Sequence, residues 1–184
     1  MKINVKQVLG LLVVLSIGPL IADEAGLKSS VIQHRLSLAT ALQAANVSIV
    51  SCRKQGLNVS AAVVDSNGIL QVLLRDTNAS PISTTLSQSK AYTSANFLKD
   101  TTHLSDLSDT AVGRSSGVLM SAGGVLIKVN EVVYGAIGVS GAATGAKDDE
   151  CARAGLKAIA ESLVIPVTKD VEPALNVDAV EPKS

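Results

Sequence analysis

In 184 residues the chain carries 16 acidic and 16 basic side chains, no tryptophan, and only three aromatic rings, Tyr92, Phe97 and Tyr134. A neutral balance with no long block of either sign excludes the basic footprint that nucleic-acid binding requires. So few rings also exclude a stacking platform for bases or sugars.

Lys2 and Lys6 precede an apolar run from Val8 to Ile21 that is too short and too loosely flanked for a good membrane span. It reads as a secretory signal peptide over residues 1–22, with small Ala22 as the last residue before cleavage. The competing reading is an uncleaved N-terminal anchor. After removal roughly 160 residues remain, one domain by size. That domain is expected in the periplasm or outside the cell, with no stable membrane insertion.

The first helix is expected to begin between Val31 and Arg35 and to run to about Lys54, because Leu38, Leu42, Ala45, Ile49 and Cys52 recur at helical spacing as one stripe. Gly56 then supplies the left-handed residue that commonly ends a helix. Val59–Asp65 and Ile69–Arg75 are runs of β-branched and aliphatic residues separated by Ser66-Asn67-Gly68. Asn-Gly tolerates positive φ at both positions, so this is a hairpin. Pro81 opens a second helix through Phe97, on which Lys90, Thr93 and Asn96 share a polar face. The segment from Asp100 to Val112 reads as a short helix and then a polar loop.

A second hairpin follows, Val125–Val129 and Val132–Val139 around Asn130-Glu131. The last helix starts near Lys147, where Asp148, Asp149 and Glu150 oppose the positive end of the helix dipole. Beyond Pro166 the chain has scattered charges, further prolines and no period, so residues 166–184 read as a tail. Two hairpins with helices before, between and after them make one α+β domain over residues 31–165, an antiparallel sheet of four to five strands flanked by helices. Cys52 and Cys151 are the only cysteines. In an oxidising compartment they pair as a disulfide, stabilising by up to about 4–5 kcal/mol; the alternative is two buried thiols acting as small apolar groups.

These residues carry a resemblance. Val63-Val64-Asp65 with Gly68, Arg75-Asp76 with Ala79, Lys90-Ala91-Tyr92-Thr93, Gly123-Gly124, Gly135 to Gly141, Asp149 and Ala152-Arg153-Ala154-Gly155 come in the order seen in the HbpS-like or GlcG family. That family also includes the C-terminal domain of corrinoid adenosyltransferases. The resemblance spans about Leu36 to Leu163 and implies a profilin-like sheet and homo-oligomers. It also implies haem or another tetrapyrrole as the small-molecule partner, which a mostly aliphatic pocket with a few polar groups would hold.

Axial haem ligation uses His, Met, Cys or Tyr. The candidates are His34, His103, Met120, Tyr92 and Tyr134, each set against a bland reading: surface histidines, and tyrosines packed on the sheet. Arg75 and Lys90 would pair with propionates, or else with Asp65 or Asp76 in structural salt bridges. The expected cofactor contacts are therefore Arg75, Lys90, Tyr92, Thr93 and His103. No Ser-His-Asp elbow, carboxylate pair or histidine-rich cluster points to catalysis, and Gly135 to Gly145 lacks the lysine and spacing of a phosphate loop. Three readings stay open: an exported tetrapyrrole binder, a structural module without cofactor, and an enzyme acting on haem.

Overall fold

A computed structural model describes residues 33–163. The signal peptide expected over residues 1–22 and the tail over 166–184 lie outside the described residues. The elements run α1 (Leu38–Arg53), β1 (Ser60–Asp65), β2 (Leu70–Arg75), α2 (Ile82–Phe97), β3 (Gly124–Val129), β4 (Val132–Ser140) and α3 (Gly145–Ala160), with short 3₁₀ turns at Thr101–His103, Ser105–Leu107 and Glu161–Leu163. The four strands form one antiparallel sheet in the order β2-β1-β4-β3, so each hairpin supplies one edge and one central strand.

The strand alternation sorts the core into two layers. Ala61 and Val63 of β1 face α1 and α3 together with Val125, Ile127, Ile137 and Val139. Ala62 and Val64 face the other way and pack with Ala136 against Ala91 and Ala95 of α2. All six residues of β1 are buried, as a strand covered on both faces must be. The helices therefore lie on both sides of the sheet, α1 and α3 below and α2 above.

Both hairpins turn where the sequence demands. In the first, the Asp65 carboxylate accepts from the backbone N–H groups of Asn67 and Ile69, and Gly68 takes φ +79°. In the second, Asn130 and Glu131 both sit at positive φ, a mirror-image turn whose twist suits the flanking strands.

Helix α1 starts later than its spacing suggests, at Leu38, because Ser37 caps it by accepting from Thr40 N–H at 3.2 Å. Its buried face is also rotated: Ala41, Ala44, Ala45, Ser48, Ile49 and Cys52 point inward, while Leu38 and Leu42 are exposed. The cause is close helix packing. A Cβ at Gly155 of α3 would fall 2.2 Å from Ser48 Oγ and 2.5 Å from the Ala44 carbonyl, so only small residues fit between the two helices. Cys52 and Cys151 are joined as a disulfide across this same contact, with 5.5 Å between their Cα atoms and a sequence separation of 99.

The segment after α2 forms two 3₁₀ turns rather than a helix, because its polar side chains are taken up by the edge of β3. Asp100 accepts from Leu126 N–H at 2.8 Å and Thr101 accepts from Gly124 N–H at 2.8 Å. Arg153 of α3 clamps the same segment by pairing with both Asp100 and Asp149. The β3 edge is thus covered. No helix among the described residues is long and apolar enough to cross a membrane.

Candidate functional site

Helix α2 lies unusually close to the sheet. A Cβ at Gly138 would fall 1.9 Å from the Ser87 carbonyl oxygen, and one at Gly124 would fall 2.4 Å from that of Lys90. Two glycines therefore let the helix backbone sit where a side chain would otherwise be. The helix rows facing β4 and β3 are consumed by this seat, and the rows facing β2 and solvent stay open.

Lys90 belongs to the seated side. Its ammonium donates to Asp148 Oδ2 at 2.7 Å and to the Val139 carbonyl at 3.0 Å, with both side chains almost fully buried. Asp148 Oδ1 accepts from Ala142 N–H at 2.9 Å. Burial pushes the Asp148 carboxyl above its ordinary range, against the pull of the Lys90 ammonium and the Ala142 N–H. Neither Asp65 nor Asp76 partners Lys90: Asp65 caps the first turn, and Asp76 is held by Arg53 at 2.8 Å. Thr93, also buried, donates to the Ser89 carbonyl and accepts from Leu119 N–H, fixing the loop that crosses above. His103 is exposed on the 3₁₀ turn beside β3.

Tyr92 and Arg75 lie on the open side. The Tyr92 ring rests against the β1–β2 turn, where a Cβ on Gly68 would meet its Cδ2 at 2.9 Å. Tyr92 is 38 % exposed, and its hydroxyl makes no hydrogen bond among the described residues. Arg75 stands opposite Ser60, whose hydroxyl bonds Ser83 of α2, and directly opposed residues of an antiparallel pair share a face. Arg75 is therefore on the α2 side. Its guanidinium donates to the Ala79 carbonyl at 2.7 Å, which leaves its remaining donors without a partner among the described residues.

Between these two residues the edge strand has an irregularity that the sequence did not announce. The register passes from Val63↔Val72 to Val64↔Leu70, so Gln71 is an extra residue in β2. Without it Leu70 and Leu73 would point to opposite faces. With it Leu70 opposes Val64 and Leu73 opposes Ala62, both on the α2 side, and each leucine is more than one-third exposed. The result is an apolar shelf along the edge of the sheet, with Arg75 at one end and Tyr92 standing over the turn at the other. At about 3.3 Å per residue the shelf is roughly 13–16 Å long. The only trace of it in the sequence is the broken alternation of Ile69-Leu70-Gln71-Val72-Leu73-Leu74.

Two cavities border these elements. One of about 240 Å³ lies on the outer face of α2 between Thr85, Gln88, Ser89, Tyr92 and Gly117. The other, about 610 Å³, lies between α1 and β2 and is lined by Ala39, Leu42, Gln43, Asn46 and Leu74. Of the two, only the first holds a residue type able to ligate haem iron.

Apart from His103, which is exposed beside β3, the other axial-ligand types among the described residues are packed or bonded. The Tyr134 hydroxyl donates to the Leu163 carbonyl and its ring packs on His34, Met120 is buried, and both cysteines are in the disulfide. No group of three His, Cys, Asp or Glu able to hold a metal ion occurs among the described residues.

The fold has counterparts. A family model described as "Haem degrading protein HbpS-like" matches residues 36–157. The crystal structure of HbpS is 33% identical, with a TM-score of 0.66 over 70% of this chain and 93% of its own. Klebsiella pneumoniae protein ORFY is 23% identical, with a TM-score of 0.67 over 73% of this chain and 97% of its own. PduOC, solved as a haem complex, is also 23% identical, with a TM-score of 0.63 over 68% of this chain and 95% of its own. At that identity the last two speak to the fold alone. No curated protein matches the chain.

Proposed function

The chain belongs to the HbpS-like family, and from that premise we propose that it is an exported accessory protein that binds haem or a closely related tetrapyrrole. The observation that carries this reading is the family match itself, which runs from Leu36 to Lys157 and so takes in all four strands and most of the three helices.

The residues of the structure fit such a ligand. A flat apolar ring with an acidic edge asks for an aliphatic surface, a cation beside it and an axial-ligand residue. Leu70, Leu73 and Arg75 supply the first two types on one face of the sheet edge, and Tyr92 of α2, against the β1–β2 turn, is of the third type. The smaller cavity is below the usual size of a small-molecule site, and the shelf is open outward. A second copy of the chain closes it in this reading, which makes the protein a homo-oligomer whose assembly and ligand binding support each other.

A hemin titration of the purified full chain tests the proposal. A shifted Soret band that saturates at a fixed ratio to protein is expected. A spectrum equal to that of free hemin at every ratio overturns it. A second reading, haem degradation, is favoured by the words of the family description. It predicts that the Soret band bleaches with release of iron when a reductant is added in air, whereas a simple binder keeps its band.

A further inference from the structure

We propose that residues 164–184 form a strap that folds back over α1, and that its first part, residues 164–172, lies extended in the groove between α1 and β2. This groove is on the face of the sheet opposite α2, so the proposal is independent of the haem reading and a failed hemin titration leaves it standing.

The groove, about 610 Å³, has an apolar floor of Ala39, Leu42 and Leu74 and a wall that carries the side-chain amides of Gln43 and Asn46. Leu74 opposes Ala61, which places it on the α1 side of the sheet. Aliphatic groups beside amides, each able to donate and to accept, match the alternating side chains and the backbone of an extended peptide. Leu42 is 46 % exposed, and Leu38, one turn earlier on the same side of the helix, is 65 % exposed. Two leucines on the outside of a helix, continuous with a groove, mark a surface that is covered.

The chain itself supplies the cover. Helices α1 and α3 run antiparallel: Cys52 meets Cys151, Ala44 meets Gly155, and Gln43 donates to the Ala158 carbonyl. The chain therefore leaves α3 at the starting end of α1, where the Leu163 carbonyl is held by Tyr134, whose ring centroid lies 5.8 Å from that of His34. Gln43 links the two places, since it lines the groove and also reaches the last turn of α3. Helix α1 has 16 residues and so is about 24 Å long. Residues 164–172 cover that length when extended at about 3.3 Å each. Ile165, Val167 and Val171 then share one face, and Asp170 and Glu172 arrive beside Arg53 and Lys54. From Gln33 to Gln55 there is no acidic residue, whereas residues 164–184 hold Asp170, Glu172, Asp178 and Glu181 against Lys169 and Lys183, so strap and helix attract each other.

Amide hydrogen exchange on the purified full chain reads the strap directly. Residues 167–172 should exchange at least about tenfold more slowly than residues 174–184, and Leu42→Asp should remove the difference. Val167→Asp should remove it from the other side of the contact, and because that residue lies outside the described domain, its effect does not pass through loss of the fold. In a separate variant, Ala39→Cys with Val167→Cys should form a bridge within one chain, found by non-reducing peptide mapping. Residues 167–172 exchanging as fast as 174–184 in the parent chain overturn the proposal, as does protection that survives both aspartate substitutions. A bridge that forms only between two chains, with protection that fades on dilution, overturns it in favour of a second copy seated in the groove.

Discussion

At the scale of single residues, two buried aspartates give the molecule opposite responses to pH. Asp76 is held by Arg53 through two N–H donors, and that hydrogen bonding keeps its carboxyl below the ordinary value of about 3.9. A depressed carboxyl contributes stability above its unfolded value, and the contribution is lost as the pH falls through the folded one. Asp76→Asn should therefore flatten the acid limb of a stability-versus-pH curve.

Asp148 is raised by burial, so its contribution is complete below about 3.9 and fades as the pH climbs through its higher folded value. The pair with Lys90 still matters as a pair. Removing Asp148 alone leaves an ammonium buried with only the Val139 carbonyl for company. Asp148→Ala should cost about 3–5 kcal/mol by chemical denaturation, and the double variant Lys90→Met with Asp148→Leu should lose clearly less. A single variant as stable as the parent would show that the ion pair holds nothing.

At the scale of elements, the helices are set by contacts too close for side chains. Gly138→Ala drives a methyl group into the Ser87 carbonyl and the Ala91 N–H, both backbone. We expect a loss of about 1–3 kcal/mol or more, with α2 displaced, readable as a lower denaturation midpoint. On the other face, the Cys52–Cys151 bridge closes a long loop, and Cys52→Ser with Cys151→Ser should cost up to about 4–5 kcal/mol, measured in the same way.

Much of this layer was legible beforehand. Asn67-Gly68 and Asn130-Glu131 announced both hairpins, and Pro81 and Phe97 bounded α2 closely. Three features were not legible. Leucine weight drew the predicted stripe of α1 toward Leu38 and Leu42, whereas the true face follows the small residues that fit against Gly155. The partner of Lys90 lies 58 positions away on another helix, and no local spacing points to it. The bulge at Gln71 escaped for a related reason: a register shift is a property of the pair of strands, and one strand's sequence only hints at it.

At the scale of the whole molecule, the proposals about place and partners have their own readouts. If residues 1–22 direct export and are removed, material recovered outside the cytoplasm should have an intact mass short by about that segment. A full-length mass would overturn the signal reading. The candidate ligand residues were only partly foreseeable. Arg75 lies near Ala79 at one end of β2 and Tyr92 over the turn at the other, Lys90 and Thr93 are taken into the seat of α2, and His103 stands apart beside β3. Residue type identified candidates, and which side of α2 each one occupies decided their surroundings.

The glycine seat of α2 has one more consequence. Because the inward rows of that helix meet bare backbone, its height above the sheet does not depend on the identity of its outward residues Thr85, Gln88, Ser89 and Tyr92. Those four positions are a writable surface on a fixed mount. Relatives sharing the mount can diverge in what they grip without renegotiating how they fold, and a new grip can be engineered here by editing that row alone.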